Sequence, residues 1–179
     1  LALPGGTYLY QGEELGLEEV EDLPDELRQD PTWKRSGHTE RGRDGCRVPI
    51  PWESTGPSLG FGSAAPWLPQ PRSWADLSVA GQNADGSSML RLYRDALRLR
   101  RDLPALGRRS TPSLSWLDLG PTVVAFTRTS GFTCVLNTGD EPVALPAGDV
   151  VLASSPDAVQ TGTDAARRLT GDSAVWLTT

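Results

Sequence analysis

The stretch "GRDGCRVPIPW", Gly42 to Trp52, concentrates side chains suited to holding a polar ligand. Arg43 and Arg47 each present a planar fork of N–H donors, which matches a carboxylate and equally a pair of neighbouring hydroxyls held at fixed geometry. Asp44, between them, can hold one guanidinium in place through a charge-assisted hydrogen bond. Pro49 and Pro51 stiffen the segment that follows by fixing φ. Trp52 and Trp67 offer flat apolar faces against which a pyranose ring can lie, although core packing is the commoner use of tryptophan. On residue chemistry alone, a structural salt bridge and a ligand clamp describe the arginines equally well.

The remaining candidates are weaker. Hydrolysis of a glycoside calls for two carboxylates flanking the scissile bond, and the chain carries the adjacent pairs Glu13-Glu14, Glu18-Glu19 and Glu21-Asp22. Neighbouring residues on an extended chain point to opposite sides, so none of these pairs brackets one bond. His38, the single histidine, lies in the polar loop "SGHTERGRDG" without a partner at metal-ligand spacing, and a solvated or loop-bonded role is expected. Neither G-x-S-x-G nor H-E-x-x-H occurs, which removes the usual serine-hydrolase and zincin signatures. Cys46 and Cys134 are far apart and read as two reduced thiols, as expected of a cytoplasmic protein.

The elements that must position these residues follow from pattern. Thr7 to Tyr10, after Pro4-Gly5-Gly6 and before polar "QGEE", reads as a buried strand ending at a functional loop. A natural N-terminus seldom starts in such a segment, and the chain opens without methionine, so a piece of a longer protein is expected. From Glu18 to about Ala80 the chain is rich in Pro, Gly, Trp and charge, with no sustained period. A stretch of that length without regular structure is uncommon unless it carries function. "DLPDELRQ", Asp22 to Gln29, has a helix-start signal. The clearest helix follows "NADGSS": Met89, Leu92, Tyr93, Ala96, Leu99 and Leu103 form one apolar face. Asp85, Ser87 or Ser88 can cap its start, and Pro104 marks its end. Beyond Gly107, five short runs separated by turn residues predict strands: Leu114 to Gly120, Thr122 to Arg128, Phe132 to Thr138, Val150 to Ser155 and Ala174 to Thr179. They predict a small antiparallel β module, with "TSGF" as a tight hairpin connection. The chain therefore divides near residue 107.

Composition narrows the partners. Seventeen Lys plus Arg against 23 Asp plus Glu give a net charge of −6 over 179 residues. That balance argues against nucleic acid or an anionic membrane, both of which reward a basic face. No apolar run approaches the roughly 20 residues of a membrane span.

Three stretches carry a family resemblance. "PGGTYLYQGEELGL" resembles the eighth barrel strand and adjoining loop of the α-amylase superfamily of glycoside hydrolases. "GRDGCRVPIPW" is similar to the R-D-x-x-R-x-P motif of its α-glucosidase and oligo-1,6-glucosidase branch. "FGSAAPWLPQPRSWADLSVAGQNADGSSMLRLYRDALRLRRDLPAL" resembles that branch's closing segment and last barrel helix. The resemblance implies an α/β plus all-β fold. Residues 1–106 would be the last strand, loop and helix of a (β/α)8 TIM barrel, and 107–179 a C-terminal antiparallel β-sandwich. It implies a retaining mechanism with an Asp nucleophile, a Glu acid/base and a third Asp. These three follow earlier barrel strands, so no catalytic residue is expected in this chain, and the isolated segment is expected to be inactive without the upstream barrel. Arg47 is the expected ligand for hydroxyls of a terminal glucose, with Arg43 and Asp44 shaping the pocket. The implied partner is an α-linked gluco-oligosaccharide, and the chemistry needs no cofactor. A non-catalytic binding or scaffold protein, or an α-transglucosylase or isomerase, are the alternative readings.

Overall fold

The computed structural model describes residues 1–107, 113–129 and 131–179. By packing, these fall into two compact units, one of Leu1–Thr7 with Leu92–Thr179 and one of Tyr8–Arg91.

The first unit is built on antiparallel sheet. Strands β1 (Ser115–Leu117), β2 (Val123–Arg128), β3 (Phe132–Asn137), β5 (Asp149–Ala153) and β8 (Ser173–Thr178) form a five-stranded sheet in the order β1-β2-β3-β8-β5. Strands β4 (Val143–Ala144), β6 (Val159–Thr161) and β7 (Arg167–Leu169) form a second sheet in the order β4-β7-β6. Side chains of the central strands alternate between two apolar layers. Phe126, Phe132, Cys134 and Trp176 pack on one face with Ala2, Ala96, Ala105 and Leu106. Ala125, Val135, Val175 and Leu177 pack on the other with Ala158 and Leu169. A strand covered on both faces reads as a continuous apolar run, which is why "FTCVLN" stood out. All five expected strands form. The three strands of the small sheet were not anticipated, because Val143–Ala144, Val159–Thr161 and Arg167–Leu169 are short and offer no apolar-aromatic run such as "LSWL". Ser130, in the expected hairpin connection, and residues 108–112, beside the expected boundary, lie outside the described residues.

Helix α3 (Met89–Asp102) carries the predicted apolar face and ends two residues before Pro104. Its first residues belong to the second unit, where the Ser88 hydroxyl accepts from the Arg91 amide at 3.3 Å. That is the predicted N-cap.

The second unit contains no strand among its described residues. Its regular elements are α1 (Pro31–Arg35), α2 (Val79–Ala84), the start of α3 and short 3-10 turns at Glu13–Leu15, Asp25–Leu27, Asp44–Arg47 and Arg72–Ala75. The "DLPDELRQ" signal thus yields one 3-10 turn. Thr7 to Tyr10, expected as a strand, is irregular. A strand is made by ladder hydrogen bonds, and no described residue pairs with this segment. Tyr8 is accordingly 94% exposed. Val20, Leu23, Val48, Leu68 and Trp74 form the unit's small core. Buried Gln82 ties it together: its amide donates to the Leu15 and Leu77 carbonyls and its oxygen accepts from the Leu90 amide.

Candidate functional site

The site begins at an Asp-Pro pair. Asp30 caps α1, its Oδ1 accepting from the Thr32 amide at 2.8 Å, and Pro31 occupies the first helical position, where no N–H is needed. The other carboxylate oxygen faces the arginine loop. Oδ2 accepts from the Arg43 amide at 3.2 Å and from Arg47 Nη1 at 2.9 Å, and lies 4.0 Å from Arg43 Nε. Asp44 answers from the opposite side. Its Oδ2 accepts from the amides of Gln29 at 2.7 Å and Asp30 at 2.8 Å, and its Oδ1 lies 3.6 Å from Arg47 Nη1. Both carboxylates are buried, while the Arg47 side chain keeps 39% of its surface exposed.

Two glycines allow this closeness. Gly42 has φ +70°, and a Cβ there would stand 2.6 Å from the Asp30 Cβ. A Cβ on Gly45 would meet the Val20 carbonyl oxygen at 2.5 Å, where the Val20 amide also bonds the Gly45 carbonyl. The hydrogen bonds of the cluster hold the Asp30 carboxyl down at about 2: the Thr32 amide and hydroxyl contribute most, the Arg43 amide and Arg47 charge add, and desolvation opposes them.

Arg47 and Asp44 line a hollow of about 210 Å³ with Gln29, Pro49, Trp67 and Leu68. Trp67 is half exposed and is thus brought to Arg47, whereas Trp52, also half exposed, is not among the lining residues. Arg43 points outward, its side chain 77% exposed. Cys46 Sγ donates to the Arg43 carbonyl at 3.2 Å. Tyr10 hydrogen-bonds Cys46, and this, more than burial, raises its phenol pKa against the pull of Arg47 and Arg43. The "TYLYQGEE" and "GRDGCR" stretches are therefore neighbours in space.

The other candidates serve local structure. Glu13 and Glu14 accept from the amides of Tyr10 and Gly12, inside their own turn. His38, with φ +69°, lies against Trp33 at a ring separation of 4.8 Å. Among the described residues no cluster of His, Cys, Asp or Glu fits a metal ion, and no helix is long and apolar enough to cross a membrane. Asp30 escaped the sequence reading, although the N-cap signal of "DPTW" was there to be read.

The model of the alpha-amylase catalytic domain matches residues 1–108. The chain belongs to the α-amylase family. Within it, a probable alpha-glucosidase of Rhizobium meliloti is 39% identical over 144 residues, covering 79% of this chain and 25% of that protein. An oligo-1,6-glucosidase of Parageobacillus thermoglucosidasius is 28% identical over 148 residues, 72% of this chain and again 25% of the relative. The α-amylase-family chain therefore spans about a quarter of the length of these curated relatives. Among solved structures, the alpha-glucosyl transfer enzyme XgtA superposes with a TM-score of 0.73 at 36% identity, covering 94% of this chain and 32% of that one. The match to the catalytic-domain model ends at residue 108, and the five-stranded antiparallel sheet begins beyond it, at Ser115.

Proposed function

We propose that this chain is the C-terminal part of a retaining α-glucosidase that hydrolyses terminal α-glucosidic bonds of maltose- or isomaltose-type oligosaccharides. The observation that carries the proposal is Arg47: two buried carboxylates hold its guanidinium, half exposed, at the rim of a hollow that also bears the Trp67 face. A guanidinium fixed in that way donates to vicinal hydroxyls at low entropic cost, and an indole beside it accepts the apolar face of a sugar ring. Residues 1–106 are assigned to the end of the catalytic barrel, in keeping with the family match to 108, and 107–179 to a C-terminal β-sandwich. Arg47 binds substrate, while Arg43 and Asp44 shape its surroundings. The nucleophile, the acid/base and the third carboxylate belong to the upstream barrel, and the 179 residues alone are inactive.

Transglucosylation is the second reading, favoured by the 36% identity to an alpha-glucosyl transfer enzyme. One experiment addresses both. The complete protein is incubated with maltose and with isomaltose, and free glucose and longer products are separated by chromatography. Glucose as the sole product, collapsing in Arg47→Ala, supports the proposal; longer products alongside the glucose that each transfer also frees point to the second reading, and neither product defeats both.

A further inference from the structure

We propose that Asp30 is the positioning residue for Arg47, its negative charge fixing the direction in which the guanidinium meets a sugar hydroxyl. The inference rests on the sugar-binding reading of Arg47 and extends it to a residue outside the R-D-x-x-R-x-P stretch. Asp30 is buried at the junction of three segments: the start of α1, the Gly42-Arg43 turn and the 3-10 turn bearing Arg47. Its two oxygens divide the work. Oδ1 serves the helix, through Thr32. Oδ2 serves the loop, through the Arg43 amide and Arg47 Nη1. Asp44 touches the same Nη1 at 3.6 Å, a longer contact, and spends its other oxygen on two backbone amides. The 2.9 Å bond to Asp30 is therefore the one that sets the angle of Arg47, and the absence of a Cβ at Gly42 is what lets the Asp30 side chain reach it.

A residue needed only as a helix cap would be replaceable by asparagine, since Asn caps as well as Asp. In Asp30→Asn the amide oxygen can still accept from Thr32, while the NH2 group faces two donors and releases Arg47. The complete protein is assayed on maltose for KM and kcat, with D-glucose as a competitive probe and thermal unfolding as the control. Asp30→Asn is expected to raise both KM and the glucose inhibition constant about tenfold, the usual size of a lost charge-assisted hydrogen bond, with a lowered unfolding midpoint, since the Arg43 amide loses its acceptor too, but a folded protein at the assay temperature. In an Arg47→Met background the same change is expected to add nothing further. If Arg47→Met weakens glucose binding and Asp30→Asn does not, or if the two losses add, the positioning role falls and the sugar-binding reading stands. If Arg47→Met leaves glucose binding intact, both fall. Should the Asn variant not fold, Asp30→Glu runs through the same cycle: it keeps the charge one methylene out of place, and an unaltered KM would overturn the inference.

Discussion

The two units of the chain are held together by different physics. In the sheet unit the backbone satisfies itself through ladders, and alternating side chains feed an apolar layer on each face of the five-stranded sheet. In the Tyr8–Arg91 unit there is no ladder among the described residues, so buried side chains do what strands do elsewhere. Asp44 takes two amides, Asp30 two more, Gln82 bridges three segments, and buried Arg28 donates to the carbonyls of Glu21 and Leu23. A fold tied by polar side chains can leave one guanidinium part-exposed at a fixed angle, which an apolar core cannot do. The same arrangement makes the loop unit sensitive to single charges, while the sheet unit is sensitive to volume.

The largest expected effect tests the volume side. Phe132 is fully buried and packs edge-on to Trp176 at a ring separation of 5.5 Å. Phe132→Ala is expected to destabilise the sheet unit by about 3–5 kcal/mol, read as a drop in the denaturant midpoint of its amide protection. A loss under about 1 kcal/mol would mean that the apolar layer is not what holds the sheet, since even a buried Ile→Val change costs that much.

On the charge side, Asp44→Ala leaves the buried Asp30 amide and the partly buried Gln29 amide without acceptors, at a cost of roughly 2–3 kcal/mol. An apolar side chain of similar size at this position is no remedy, because the two amides would still face it. Gly42→Ala follows at roughly 1–3 kcal/mol for the left-handed backbone, with the contact to Asp30 added. Both are measured by chemical denaturation, and the comparison fails if either variant lowers the stability of the sheet amides more than that of the loop amides.

How far the sequence disclosed these units follows from the same contrast. The sheet was legible where apolar residues recur between turn signals, as in "TVVAFTR" and "AVWLTT", and illegible at the short, largely polar Val159–Thr161 and Arg167–Leu169. The helix face from Met89 was legible for the same reason. In the loop unit the arginines and Asp44 stood out by type, and Arg47 does meet Asp44. Asp30 did not stand out, because its contact with Arg47 spans 17 residues and no local pattern encodes it. Arg28 was missed likewise, as nothing in "ELRQ" announces a buried guanidinium. Thr7 to Tyr10 was misread because an apolar-aromatic run specifies a strand only when a neighbour supplies the ladder.

The smallest effect requires no mutation. The Asp30 carboxyl is held at about 2 against an ordinary 3.8, so the folded loop favours its charged form. Its contribution is complete above pH ~4 and is lost as the pH falls through that value towards 2, because below both pKa values the unfolded and folded states bind the same proton. Protonation of Asp30 removes the charge that holds Arg47 Nη1 and so releases the guanidinium. In the sheet unit Asp164 is also lowered, by the Ala166 amide and then Arg168, but it serves only an exposed turn. Between pH 4 and pH 2 the Thr32 and Arg43 amides, corrected for intrinsic exchange rates, are therefore expected to lose protection while the β3 ladder amides keep theirs. Simultaneous loss in both units, or earlier loss in β3, would show that the polar ties of the loop carry no separate share of the stability.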